Sequence, residues 1–282
     1  MNPTLTPRHK TAHLGAGLAL EYVEQGHRGG TPLLLLHGIT DSWRSYEPVL
    51  PWLPPEWHVI ALSQRGHGAS SHGVAGFGLR DFAGDIAALS AHLELPPMLV
   101  VGHSMGAAVA MRVAIDHPGL VAGLVGVGAF ASFSDKDDLR SFHAGTIAPL
   151  LDPVPAELAQ EFQQSTVFGP VAPGLLQTMV QESLKVPAHV WRAAFAALFD
   201  DDFTAELPRI EAPALLARGD ADVFVPRSDQ DRLLQALQRA RLTVLRGVGH
   251  AVHWERPQAF VQELLAFAHH LQRRGQPLAC GA

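Results

Sequence analysis

The sequence contains a single cysteine, Cys280, among its 282 residues. An intramolecular disulfide is therefore impossible, and a metal site built on several cysteines is excluded as well. Charged residues make up only 17% of the chain, and Lys and Arg form no cluster longer than Arg273-Arg274. Because the net charge is also −6, the chain lacks the dense positive surface that nucleic-acid binding requires.

Long hydrophobic runs are missing too. No stretch approaches the roughly 18 apolar residues of a membrane span. Residues 1–20 mix Pro, Thr, His and Lys and lack the apolar core of a signal peptide. These features favour a cytoplasmic protein with no membrane span. Hydrophobic residues nevertheless make up 47% of the chain, which suits one large domain, or one domain with a sizeable insertion.

Short apolar runs alternate along the chain with segments of helical spacing, the pattern of an α/β protein. It predicts a mostly parallel central sheet of about eight strands flanked by helices. The predicted strands cover residues 18–24, 32–37, 57–62, 97–102, 120–128, 213–218 and 242–245, the first of them in an antiparallel starting hairpin. The predicted helices cover residues 79–93, 105–117, 227–240 and 261–271, and a loose tail is expected after Arg273.

Residues 130–207, called the lid segment below, interrupt this alternation. The segment contains no convincing strand, and six prolines divide its helical pieces. We interpret it as a helical lid inserted after the sixth strand. The predicted domain organisation is therefore a core of residues 1–129 and 208–282, with a lid of residues 130–207.

The strongest chemical signal is the Gly-x-Ser-x-Gly pattern of Gly102-His103-Ser104-Met105-Gly106. It lies between a predicted strand and a predicted helix, where a sharp turn exposes the serine hydroxyl. Glycines suit this turn because a Cβ atom would clash where the backbones approach each other. The helix that follows points its positive N-terminus towards any developing anion.

With this motif the sequence resembles the α/β-hydrolases, from about Leu18 to Leu271. Four further segments match patterns of that family: His37-Gly38-Ile39-Thr40, Arg65-Gly66-His67-Gly68-Ala69-Ser70, Gly219-Asp220-Ala221-Asp222 and Gly247-Val248-Gly249-His250. The resemblance implies that Ser104 is the nucleophile, His250 the base and Asp222 the acid that orients His250. It also implies that the backbone amides of Ile39 and Met105 form the oxyanion hole.

Some assignments remain open at this stage. Asp220 lies two residues before Asp222, and either carboxylate could point inward, although the family pattern favours Asp222. His37 and His103 are expected to make structural hydrogen bonds beneath the site. Ser63 stands where relatives usually carry an aspartate, which puts the hydrogen bonding of its loop in question.

The lid segment is rich in aromatic residues, which predicts an apolar roof over the site. Helical spacing could turn Trp191 and Phe195 towards the pocket, or the same stripe could simply pack the lid onto the core. The candidate pocket residues are Trp43, His103, Phe130, Trp191, Phe195, Phe224 and His253.

These features predict a serine hydrolase that cleaves a small carboxylic ester or lactone with an apolar part, through an acyl-enzyme. The same residues could instead support C–C bond hydrolysis or perhydrolysis, and the resemblance also allows a slow-turnover ligand-sensing protein. A serine at position 104 makes epoxide opening and dehalogenation unlikely, since relatives with those activities carry aspartate there. No His-Glu-x-x-His or dinucleotide-binding pattern occurs, so neither a metal nor another cofactor is expected.

Overall fold

The computed structural model describes residues 6–274, so Cys280 and the tail predicted to be loose lie outside the described residues. A single eight-stranded sheet has the spatial order β1-β2-β4-β3-β5-β6-β7-β8. Strand β2 is antiparallel to both of its neighbours, and the pairs from β4 to β8 are parallel. The strands are β1 (Arg8–Leu14), β2 (Leu18–Gly26), β3 (Pro32–Leu36), β4 (His58–Leu62), β5 (Met98–His103), β6 (Val121–Val127), β7 (Ala214–Gly219) and β8 (Ala240–Leu245).

Helices cover both faces of the sheet. They are α1 (Leu79–His92), α2 (Met105–Asp116), α3 (Asp137–Phe142), α4 (Ala156–Ser165), α5 (Leu175–Lys185), α6 (Ala188–Asp200), α7 (Arg227–Ala236), α8 (Val252–Glu255) and α9 (Pro257–Arg273). A π-helical turn, His143–Ile147, extends α3, and short 3₁₀ turns occupy Trp43–Tyr46, Leu50–Trp52, Pro118–Leu120 and Thr204–Arg209.

The burial of each strand follows its place in the sheet. Every residue of the five strands β3 to β7 is buried, which explains why these segments are mostly apolar. The edge strands are more exposed: β1 mixes exposed, half-buried and buried positions, and β8 has only half-buried and exposed ones. The α/β architecture predicted from the alternation of apolar runs is confirmed.

Several predicted boundaries are wrong, including the start of the last helix, which begins at Pro257 instead of Val261. The helix expected to reach Ala240 ends at Ala236, and the last strand begins at Ala240 instead of Leu242. Ala240 pairs with Ala214 of β7, and the Ala214 N–H donates to the carbonyl of Arg239. Sheet pairing therefore overrides the helical preference of residues 237–240.

The lid segment lies between β6 and β7 and contains α3 to α6 and the π-helical turn. One apolar cluster includes both Leu36 and Met105 beneath the sheet edge and Trp191 and Phe195 of α6. The helices of the lid segment therefore share a continuous apolar interior with the sheet. Among residues 6–274, no helix combines the length and apolar character needed to cross a bilayer.

Candidate active site

Ser104 occupies the turn between β5 and α2. Its backbone has φ 53° and ψ −117°, a conformation that is rare for a residue with a side chain. The Ser104 N–H donates to the carbonyl of Val127 on the neighbouring strand, at 2.9 Å, and helix α2 begins at the next residue. Strain of this kind persists only where the surroundings hold it, and it is common at functional sites.

The two glycines of the motif allow the close approach of three backbone segments. A Cβ atom on Gly102 would lie 2.1 Å from the carbonyl oxygen of Gly106. A Cβ atom on Gly106 would lie 2.3 Å from the carbonyl oxygen of Leu36, at the end of β3. Any side chain at either position would therefore push the turn away from β3.

His250 and Asp222 follow the ends of β8 and β7, the strands beyond β6. His250 Nδ1 lies 2.8 Å from Asp222 Oδ2, and both side chains are almost completely buried. Asp222 Oδ1 accepts hydrogen bonds from the amides of Phe224 and Val225, at 2.9 and 3.0 Å. Burial raises the pKa of Asp222, but His250 and these two amides favour the charged form more strongly, so the pKa is lowered overall.

The loop of residues 219–226, called the acid loop below, contains two aspartates that lie in different positions. Asp222 contacts His250, whereas Asp220 is exposed and its Oδ1 accepts a hydrogen bond from the amide of Gly247, at 2.7 Å. The structure therefore brings Asp222 to the histidine and assigns Asp220 to the connection between two loops.

The loop that follows β3 lies against the start of α2. Ile39 lines the same cavity as Ser104 and His250. Met105 is the first residue of α2, so its amide has no acceptor within the helix. A Cβ atom on Gly38 would lie 2.8 Å from His103 Nδ1, so this loop passes directly over the His103 ring.

A narrow cavity lies over Ser104. Its wall is mostly aromatic and aliphatic, with a polar side formed by Asp41, Gln163 and Thr166. The apolar wall residues come from the lid segment and the acid loop: Phe133, Leu139, Phe142, Phe162, Phe195, Leu198 and Phe224.

The predicted pocket residues divide into two groups. His103, Phe195 and Phe224 line the cavity, and the Phe224 ring is 5.2 Å from that of His250. The remaining four, Trp43, Phe130, Trp191 and His253, are buried behind the wall.

Three of these four side chains have packing contacts elsewhere. Trp43 contacts the ring of His9, and Phe130 stacks on Phe133 at a centroid distance of 3.8 Å. Trp191 packs beside Phe195, and its indole N–H donates to the carbonyl of Ser183. The aromatic stripe on α6 thus divides between cavity wall and interior, because Trp191 and Phe195 lie on the same helix face but one turn apart along the helix axis.

The buried histidines near the site differ in their bonding. His37 makes the expected structural hydrogen bonds, to the carbonyl of Gly38 and the amide of Gln64. Contrary to expectation, the side chain of His103 makes no hydrogen bond of normal geometry within residues 6–274, and its ring packs 4.8 Å from that of His250 and 4.6 Å from that of His253. Burial holds the pKa of His103 well below its usual value and lowers that of His253 to about 3.

Three carboxylates near the site have contacts that the sequence motifs did not reveal. Glu255 accepts hydrogen bonds from the amides of Gly249 and Gly169. These bonds join the loop of residues 247–251, called the histidine loop below, to the lid segment. Glu255 lies five residues after His250 in the sequence, and its hydrogen-bond partners were not predictable from that spacing. Asp41, two residues after Ile39, is buried and bonded to Gln163.

The third carboxylate, Glu21, compensates for the serine at position 63. Ser63 Oγ donates to Glu21 Oε2 at 2.8 Å and accepts from the amide of Trp43. Glu21 Oε2 also accepts from the amide of Ala69, at 2.9 Å. A carboxylate from β2 thus supplies the hydrogen bonds that the missing aspartate put in question.

Metal-ligating side chains do not cluster in the described part of the chain. Within residues 6–274, no group of three His, Asp, Glu or Cys side chains is arranged to hold a metal ion. The polar groups that converge on the cavity are therefore a serine, histidines, an amide, a threonine and carboxylates.

Comparison with known proteins agrees with this architecture. The sequence profile of the α/β hydrolase fold matches residues 31–257. A non-heme chloroperoxidase from Streptomyces lividans is 30% identical over 269 residues, covering 89% of this chain and 96% of the relative. The crystal structure of an esterase from Rhodococcus sp. ECU1013 superposes with a TM-score of 0.81 at 26% identity, covering 93% of this chain and 99% of the esterase.

A second solved structure, a hydrolase from Pseudomonas aeruginosa PA01, has a TM-score of 0.83 at 25% identity and covers 93% of this chain and 98% of that one. The matched profile spans most of the chain and includes the turn at Ser104, the acid loop and the histidine loop. The chain belongs to the α/β-hydrolase fold family.

Proposed function

We propose that this protein hydrolyses a carboxylic ester or lactone through an acyl-enzyme formed on Ser104. The observation that carries the proposal is the 2.8 Å contact between His250 Nδ1 and Asp222 Oδ2, with Ser104 and His250 in the wall of one cavity. A serine hydroxyl is a weak nucleophile at neutral pH and needs a base beside it. Because Nδ1 is engaged by Asp222, Nε2 is the His250 nitrogen left to act as that base.

The reaction proceeds in two halves. Ser104 Oγ attacks the carbonyl carbon of the substrate, and His250 takes the serine proton and passes it to the leaving alcohol. A water molecule, deprotonated by His250, then attacks the acyl-enzyme, and the proton returns to Ser104 as the acid leaves. Asp222 keeps the imidazole in one tautomer and stabilises the imidazolium that forms in each half.

Negative charge on the carbonyl oxygen needs donors in place before the reaction. The amides of Ile39 and Met105 fill this role in the proposal, helped by the positive end of α2. Loss of one such donor typically costs about 2.7–4 kcal/mol of transition-state stabilisation.

The cavity supports a substrate with an apolar acyl or alcohol part. Among the described residues, its wall carries six aromatic and aliphatic side chains from the lid segment, including Phe162 and Phe195, and no Lys or Arg. A substrate carboxylate or phosphate would find no cation there. We therefore propose that the lid segment, residues 130–207, acts as a lid over an apolar substrate.

Perhydrolysis is the second candidate, because the similar protein from Streptomyces lividans bears the name of a chloroperoxidase. In that reaction hydrogen peroxide, instead of water, attacks the acyl-enzyme and releases a peracid. Rates of hydrolysis and of peracid formation from the same ester distinguish the two activities.

The experiment that tests the proposal combines fluorophosphonate labelling with turnover of p-nitrophenyl esters, for the wild type and for Ser104→Ala. We expect the wild type to label and to turn over repeatedly, and both signals to vanish in the variant. Labelling with a single turnover would favour a ligand-sensing protein. A wild type that does not label would show that Ser104 is not activated, and the proposal would be wrong.

A further inference from the structure

The end of helix α4 contacts two loops of the site at once. The carbonyl oxygen of Thr166, which caps α4, accepts hydrogen bonds from the amides of His250 and Ala251, at 2.9 and 3.0 Å. The backbone of the histidine loop is therefore anchored to the lid segment at the catalytic residue itself.

Three residues earlier on α4, Gln163 reaches the loop that follows β3. Gln163 Nε2 lies 2.8 Å from Asp41 Oδ1, 2.8 Å from Ser183 Oγ and 3.3 Å from Thr40 Oγ1. Gln163 and Asp41 are 1% and 2% exposed, so water does not compete for these hydrogen bonds. Both residues also line the cavity over Ser104.

The loop that receives these bonds is held in a strained conformation. Thr40 has φ +66°, a left-handed conformation that is unfavourable for a residue with a side chain. Its hydroxyl lies 3.0 Å from that of Ser183 on α5. Ile39, which carries one of the amides proposed for the oxyanion hole, immediately precedes Thr40. Side chains of the lid segment thus hold the conformation next to that amide.

In the described part of the chain, no Lys or Arg forms an ion pair with Asp41. Ser45 Oγ is 3.3 Å from Asp41 Oδ2, and His103 Nδ1 is 3.9 Å away. Burial raises the pKa of Asp41 to about 7, although the hydrogen bond from Gln163 favours its charged form. Tyr46, His250 and Glu182 are the other ionisable groups that interact with it. A carboxyl group this buried depends on its hydrogen bonds, and Gln163 donates the shorter of the two.

We propose, on the basis of the function proposed above, that Gln163 is a positioning residue. It acts through Asp41 on the loop that carries Ile39, while Thr166 holds the histidine loop. The last turn of α4 thereby sets the spacing between the oxyanion amide of Ile39 and the imidazole of His250. An open or displaced lid segment would leave the catalytic residues present but misaligned, so the hydrolase depends on its lid for catalysis as well as for substrate binding.

The test replaces Gln163 by methionine, which keeps the length and helical preference of the side chain but removes its donors. We expect kcat for an activated ester to fall by about 10- to 100-fold, with KM changed less than threefold, because the lost alignment matters in the transition state. The fluorophosphonate labelling rate should fall by a similar factor.

A double-mutant comparison separates this role from general destabilisation. Asp41→Ala should reduce kcat by the same factor as Gln163→Met. The double variant should have a kcat no lower than that of the worse single variant, because both substitutions remove the same contact. Asp41→Asn keeps an acceptor oxygen for Gln163 and should restore kcat to within about threefold of the wild type. Gln164→Ala, an exposed change on the same helix, is the control and should leave kcat unchanged.

Two results would overturn the inference. One is a folded Gln163→Met protein that labels and turns over at the wild-type rate while the Ser104→Ala variant is inactive, which would leave the proposed function intact. The other is a double variant in which the two single losses multiply. A wild type that neither labels nor hydrolyses esters would overturn the proposed function and this inference together.

Discussion

Gly128, the residue after β6, lies directly against the imidazole of His250. A Cβ atom on Gly128 would be 2.6 Å from His250 Cε1 and 2.7 Å from its Nδ1, the atom that contacts Asp222. Gly128 also has φ +55°, which favours glycine. A side chain at this position would therefore have to displace the histidine ring.

Gly128→Ala should consequently lower kcat/KM for a p-nitrophenyl ester by about 100-fold or more, since misplacement of a catalytic group by about 1 Å has effects of this size. The left-handed conformation should add about 1–2 kcal/mol of destabilisation. Gly145→Ala is the matched control, because a Cβ there meets open space. Retention of wild-type kcat/KM by Gly128→Ala would mean that His250 is not the base.

Asp222→Asn should reduce kcat by a factor on the order of 10⁴, because an amide can hold the imidazole in the wrong tautomer. Asp220→Asn keeps an oxygen to accept the Gly247 amide and should stay within about threefold of the wild type. Steady-state kinetics of the two variants, side by side, make the comparison. Equal losses in both would contradict the assignment of Asp222.

Phe195→Ala should change which ester is preferred, because Phe195 forms part of the cavity wall. The enlarged cavity should raise kcat/KM for longer acyl chains relative to acetate. Trp191→Phe, behind the wall, should instead lower the free energy of unfolding by about 1–3 kcal/mol and leave the preference unchanged. A p-nitrophenyl ester series and urea unfolding measure the two effects, and a shift in preference for Trp191→Phe would contradict the described wall.

Acid should destabilise the folded protein through its buried histidines. Burial lowers the pKa of His67 to about 4 and that of His253 to about 3, and holds those of His37 and His103 well below the usual value. As pH falls from about 6.5 to 4, the unfolded chain binds protons at these residues that the folded chain does not. Asp41 has the opposite effect, because its raised pKa means that the folded chain binds one proton there before the unfolded chain does.

The free energy of unfolding should therefore decrease as the pH is lowered through this range. The decrease is about 1.4 kcal/mol per pH unit for each proton that the unfolded chain binds in excess of the folded chain. Urea unfolding at a series of pH values from 7 to 4.5 measures the slope. His67→Gln should reduce the slope of the free energy of unfolding against pH by the contribution of about one proton. An unchanged slope in that variant would show that His67 is protonated in the folded state.

Much of the fold could be predicted because local patterns carry it. The five central strands are mostly apolar and each is buried on both faces, so their observed positions agree with the predicted ones to within two residues. The same patterns fail where a segment suits two structures, as at residues 237–240, which are helical in preference but belong to a turn and an edge strand.

The predicted site residues follow from order along the chain. Ser104, Asp222 and His250 each come after an apolar run, and parallel strands bring the ends of those runs to one edge of the sheet. The pocket wall could not be predicted equally well. Trp191 and Phe195 share a helical stripe, yet only Phe195 reaches the cavity, because the rotation of α6 is set by its packing on other helices.

The sequence by itself determined the sheet, the strand-to-helix turn at Ser104 and the motifs that contain His250 and Asp222, because local spacing and small residues specify such features. Only the tertiary structure decided which aspartate meets His250 and that Gln163 bonds to Asp41, 122 positions away in the chain. Contacts of this kind depend on where a helix end comes to rest after the whole core has packed. No periodicity or motif in the sequence records that position.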